Sequence, residues 1–103
     1  MTGYILHPDA FDDLDQIRAY IAEDNPDAAD QVVTEIFRKI RSLVEFPYQG
    51  YRRLNLTSRP LRFGLVREYV IAYAPDTKPL RVLAIFHGRR NPRVVAAILR
   101  VRE

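Results

Sequence analysis

A chain of 103 residues, 48% hydrophobic and 11% aromatic, is long enough for one domain with a modest core and too short for two. No apolar run approaches the ~20 residues of a membrane-spanning helix, and Asp9, Asp12 and Asp13 stand where a signal peptide would be basic and then apolar. With no cysteine and only His7 and His87 as imidazoles, disulfides, thiolate metal sites and His-rich sites are excluded, so the expectation is a cytoplasmic chain needing no membrane, metal or cofactor.

The net charge of +3 conceals a strong polarity. Residues 1–50 hold four basic and ten acidic side chains, whereas residues 51–103 hold twelve basic, eleven of them arginine, and three acidic. Guanidinium groups suit bidentate contact with phosphate or carboxylate. The second half is therefore either an ordinary solvated surface or a face for nucleic acid or an acidic partner.

Residues 3–7 read as a short strand ending at Pro8. Pro8 and Asp9 open a helix on which Ala10, Leu14, Ile17 and Ile21 recur at helical spacing, until it stops near Asn25. Asn25-Pro26-Asp27 repeats the start signal, and Ala29, Val32, Val33, Ile36, Phe37, Ile40, Leu43 and Val44 form a wide apolar stripe ending before Pro47. These two helices form a hairpin. The period then becomes strand-like, with candidate strands at 51–56, at 61–66, at 68–74 and from Leu80 to Phe86, the last two apolar on both faces. Short turns join them, so the expected sheet is antiparallel. Asn91-Pro92 is a third cap-plus-proline signal and predicts a short C-terminal helix. The fold class is α+β, in the order β-α-α-β-β-β-β with that possible helix at the end.

The acidic cluster Asp9, Asp12, Asp13 and Asp15 occupies the first turns of a helix, where acids offset the dipole, and does not match a calcium-loop spacing. The segment Ile85-Phe-His-Gly-Arg-Arg-Asn-Pro92 carries more. It delivers His87, Arg89 and Arg90 to the end of a buried strand, where they could clamp a phosphate with His87 as general acid or base. Equally, His87 could cap the strand while the arginines pair with an acidic partner. Arg59, Arg62 and Arg67 surround the preceding strand, and alternation does not show whether they converge on the face of His87. Tyr69 and Tyr73 share a face, as core aromatics or as base-stacking platforms.

Four segments carry a resemblance to the ParE/RelE superfamily of type II toxin–antitoxin toxins. They are Tyr4-Ile-Leu-His-Pro-Asp-Ala-Phe-Asp-Asp-Leu-Asp-Gln-Ile17, Leu43-Val-Glu-Phe-Pro-Tyr-Gln-Gly50, Leu61-Arg62 with Tyr69-Val-Ile-Ala-Tyr73, and Arg81-Val-Leu-Ala-Ile-Phe-His-Gly-Arg-Arg90. The resemblance implies a helical hairpin on a twisted antiparallel sheet, and a small cytoplasmic bacterial toxin neutralised by a cognate antitoxin. Operator DNA would be bound only through the antitoxin complex. RelE-like members cut messenger RNA on the ribosome, whereas ParE-like members inhibit DNA gyrase. The segment after Arg90 has no tyrosine, and Val70 follows Tyr69 where RelE-like chains usually place an arginine, so the chain resembles the ParE branch more closely. On the gyrase reading no residue is catalytic, and the resemblance implies Arg62, Arg67, His87, Arg89 and Arg90 as the target-binding surface. On the nuclease reading, His87, Arg62 and Arg90 would be catalytic. A third expectation is a non-toxic relative that only binds the antitoxin.

Overall fold

Each helix begins at a proline preceded by a side-chain cap. The computed structural model describes residues 3–102 and places α1 at Pro8–Ala22, α2 at Pro26–Glu45 and α3 at Pro92–Val101. His7 Nδ1 accepts from the Asp9 N–H at 3.0 Å, Asn25 Oδ1 from Ala28 at 3.1 Å and Asn91 Oδ1 from Arg93 at 2.9 Å. Each bond satisfies an amide that the first helical turn leaves without a partner, while the proline at N1 has no N–H to satisfy.

Strands β1 (Tyr4–Leu6), β2 (Arg62–Val66), β3 (Tyr69–Ala74) and β4 (Leu80–His87) form one sheet in the order β1-β4-β3-β2. The class is α+β, as expected. Two details differ from the sequence reading. β1 pairs with β4 in parallel, so the sheet is mixed, because the chain crosses the sheet through the hairpin before returning to β1's neighbour. Residues 51–56 form no strand: Tyr51 bridges Phe63, and the chain then turns back, with Leu56 and Thr57 both donating to the Arg53 carbonyl. Leu54, which alternation placed in that strand, is 70% exposed.

The sheet is covered on both faces. Ala10, Leu14, Val32, Ile36, Ile40 and Leu43 of the α1–α2 hairpin pack on Ile71, Tyr73, Val82 and Ile85. On the other face Val95 and Leu99 of α3, with Leu56 and Leu61, cover Phe63, Val70, Ala72, Ala84 and Phe86. The register between β3 and β4 shifts by one residue, from Ala72↔Ala84 to Tyr73↔Val82. Leu83 is thereby inserted and joins the α3-side core together with Ala84, while Val82 and Ile85 stay on the hairpin side. By alternation from Ile85, His87 falls on the hairpin side as well.

Two polar fastenings hold these layers. Beyond β1, the edge of β4 is closed by side chains instead of a strand. Asp13 accepts from the Ile85 amide at 3.0 Å and from Arg102 at 2.6 and 3.1 Å, and Arg102 also donates to the Leu83 carbonyl at 3.0 Å. The side chains of Asp13 and Arg102 are only 10% and 11% exposed. Arg59 secures the same end of α3, donating to the carbonyls of Leu99 and Arg102 at 2.6 and 2.7 Å, where a helix C-terminus lacks partners.

The second fastening follows α2. The Tyr73 hydroxyl donates to the Pro47 carbonyl at 2.6 Å and accepts from the Gly50 amide at 3.0 Å. A Cβ on residue 50 would lie 2.4 Å from that hydroxyl, so only glycine brings its backbone this close. The spacing from Leu43 through Pro47 to Gly50 thus serves one clasp around Tyr73. Burial, ahead of the opposing bond from Gly50 and the charge of Arg62, raises the Tyr73 pKa above its ordinary 10.0. A raised acid keeps its neutral form, so this stabilisation is complete below pH 10 and is lost as pH rises through the folded-state value. Tyr73→Phe is expected to lose about 1–3 kcal/mol at neutral pH, from the orphaned Pro47 and Gly50 groups. In chemical denaturation across pH, its stability should also fall less steeply above pH ~10 than that of the parent.

Candidate functional site

The end of β4 releases His87, Gly88, Arg89 and Arg90 at the mouth of a groove of about 590 Å³ between α1 and the β3–β4 edge. Its α1 wall is Asp13, Gln16, Ile17 and Tyr20, spaced i, i+3, i+4 and i+7, which is one face of a helix. Ile85, Phe86, Tyr69 and Glu68 complete it. Tyr20 is 73% exposed, so its ring stands open to solvent on the α1 wall of the groove.

His87 is half-buried and its ring meets Tyr69 edge-on, with centroids 5.4 Å apart and planes at 80°. Its Nδ1 accepts from the Arg89 N–H at 3.0 Å, repeating the turn that His7 makes with Asp9. In the neutral imidazole the ring proton then sits on Nε2. The His87 carbonyl accepts from the Arg90 amide at 3.0 Å, and the Gly88 amide donates to the Glu68 backbone carbonyl at 2.7 Å. This network fixes the loop backbone and directs its two arginines outward. Arg89 and Arg90 are exposed, and their guanidiniums have no hydrogen bond or ion pair among the described residues.

Arg62 lies elsewhere. It pairs in register with Tyr73, whereas His87 pairs with Tyr69, four positions away along β3 and roughly 13 Å at ~3.3 Å per residue. Its guanidinium donates to the Gly50 carbonyl at 2.7 Å and lies 5.2 Å from the centre of the Tyr48 ring. Arg62 therefore reinforces the clasp around Tyr73. Tyr48 in turn donates to Asp76, and that bond above all raises its pKa.

Arg67 stands in the β2–β3 turn with a positive φ of 53°. It forms a bidentate pair with Glu35 of α2, both contacts at 2.8 Å. The hydrogen bond from Arg67 is the main cause that lowers the Glu35 pKa, so at neutral pH the two charges offset each other. Arg59 is committed to α3, as described above. Of the arginines singled out in the sequence, the structure brings Arg89 and Arg90 together with His87 and gives Arg59, Arg62 and Arg67 intramolecular partners. The α1 wall of the groove was not anticipated, although the spacing of Ile17 and Tyr20 was visible.

Among the described residues no cluster of three or more His, Asp or Glu side chains is placed to hold a metal ion. No helix among them is long and apolar enough to cross a membrane.

Residues 4–92 match the family described as "ParE toxin of type II toxin-antitoxin system, parDE". A curated protein of Sinorhizobium fredii (strain NBRC 101917 / NGR234) named "Putative toxin Y4kP" is 41% identical over 84 residues. That similarity covers 76% of this chain and 79% of the relative.

Proposed function

The chain belongs to the ParE toxin family of type II toxin–antitoxin systems, and on that premise we propose that it inhibits DNA gyrase by binding and is neutralised by a cognate antitoxin. The surface assigned to the target is His87, Arg89 and Arg90 with the adjoining groove. Arg62 and Arg67 act in support of it, one by fastening the sheet to the end of α2 and the other by anchoring the β2–β3 turn.

The separation of Arg62 from His87 carries the choice of binding over catalysis. Cleaving a phosphodiester needs a general acid or base and cations converging on one phosphate. Here the two residues pair with Tyr73 and Tyr69, at opposite ends of β3. A binding surface needs no such convergence: two guanidiniums without a partner among the described residues, beside a groove that carries both apolar and polar side chains, offer charge complementarity and a contact area. The nuclease reading retains one point in its favour, that His87 lines the groove together with Arg89 and Arg90, while Arg62 stays outside it.

The antitoxin is proposed to cover the same groove, and the complex to reach operator DNA through the antitoxin. Expression of the chain alone should arrest growth, and co-expression with the antitoxin should restore it. Unimpaired growth from soluble, folded protein would favour a relative that only binds the antitoxin.

A further inference from the structure

The two segments that cover the second face of the sheet, residues 51–61 and 88–102, hold three and five arginines and no acidic residue. Arg59 and Arg102 are used internally, against the α3 carbonyls, Asp13 and Leu83. Arg89, Arg90, Arg93 and Arg100 are exposed. Arg93 and Arg100 are seven residues apart, two turns of α3, and so lie on one side about 10 Å from each other. Val95 and Leu99, buried against the sheet, face the opposite way. The other side of the molecule is the reverse in sign: Asp12, Asp15, Glu23, Asp24, Asp27 and Asp30 are exposed on or beside the helical hairpin. The sheet thus separates an acidic layer from a basic one.

We propose that the α3 layer binds the phosphate backbone of duplex DNA without reading its sequence, with the acidic hairpin turned away. The charges lie along a convex helix and its leading loop, and a row of phosphates meets such a surface without needing a pocket. A peptide held by strand addition or by helix packing would need a sheet edge or a groove, and an acidic peptide is the competitor that the test below includes. The cations of α3 and its leading loop that have no side-chain partner among the described residues, Arg89, Arg90, Arg93 and Arg100, are arginines, whose planar fork matches phosphate oxygens. Arg93 and Arg100 are separate from the groove at His87, so this surface does not depend on gyrase being the target.

The test is fluorescence anisotropy of the full chain with two labelled duplexes of about 30 base pairs and unrelated sequence. Both should bind alike, and log K should fall against log salt with a slope of about −3 to −4, as four neutralised phosphates require. Arg93→Gln with Arg100→Gln should weaken binding at least roughly tenfold at low salt and flatten the slope by about 2. Arg41→Gln with Lys78→Gln removes the same net charge away from α3 and should leave affinity nearly unchanged. Circular dichroism on both variants establishes that the fold is intact. Equal losses in the two double variants would overturn the proposal, since net charge alone would then explain binding. So would failure to bind either duplex at about 50 mM salt, or binding of a poly-glutamate peptide in preference to DNA.

Discussion

Replacing Arg89 and Arg90 together with alanine is expected to abolish growth arrest while leaving the fold unchanged. Both guanidiniums are exposed and have no intramolecular partner among the described residues, so truncating them strands no buried charge. The loop backbone is held by bonds that alanine retains: the residue 89 amide to His87 Nδ1, and the residue 90 amide to the His87 carbonyl. The fold should therefore change by no more than about 0.5 kcal/mol, the range for surface substitutions. The effect at the target is of another size, because arginines at the centre of an interface each cost ~2 kcal/mol or more when truncated. Two such losses weaken binding by roughly a thousandfold. Growth curves under induced expression, paired with thermal denaturation of the purified variant, check both halves. Arrest by a stably folded double variant would remove these residues from the target surface.

The largest effect on stability is expected at Asp13. Its carboxylate joins three elements: α1, which carries it, β4 through the Ile85 amide, and α3 through Arg102. The hydrogen bond to Asp13 is the leading cause that raises the Arg102 pKa further, so Arg102 stays charged throughout the usable pH range. Asp13→Ala leaves that charge largely buried with only the Leu83 carbonyl as a full partner, and strands the Ile85 amide. Removing one member of such a pair costs about 3 kcal/mol. For a chain of this size, that lowers Tm by roughly 12–24 °C. Removing both charges with Asp13→Leu and Arg102→Met should cost much less than the sum of the single changes, because no charge is then left unpaired. Additive losses would show that the pair does not act as a unit.

The helix starts were legible because Pro8-Asp9, Asn25-Pro26 and Asn91-Pro92 are local signals independent of the rest of the chain, whereas the cap that His7 supplies to α1 is visible only in the structure. The hairpin stripe was legible for a similar reason: helical periodicity over twenty residues of α2 records one buried face. Alternation misled at 51–56 because Leu54 and Leu56 keep strand spacing while a turn at Arg53 sends them to different environments. The inserted Leu83 could not be seen, since β4 is apolar on both faces and hides its own parity.

For the site, contiguity decided what could be read. His87, Arg89 and Arg90 arrive together because they are adjacent in the chain. The destinations of Arg59, Arg62, Arg67 and Arg102 depend on partners between 12 and 89 positions away, which spacing does not encode. The motif spanning Leu43 to Gly50 is legible as a spacing, and its role in the clasp on Tyr73 is visible only in the fold.

The proposed target is tested most directly by giving the purified toxin, freed of antitoxin, to two reactions in parallel. One is supercoiling of relaxed plasmid by gyrase, and the other is translation of a defined message on ribosomes. The account predicts blocked supercoiling with intact message, and loss of the block in the Arg89→Ala, Arg90→Ala variant. Cleaved message with normal supercoiling would contradict it and make His87 a catalytic group.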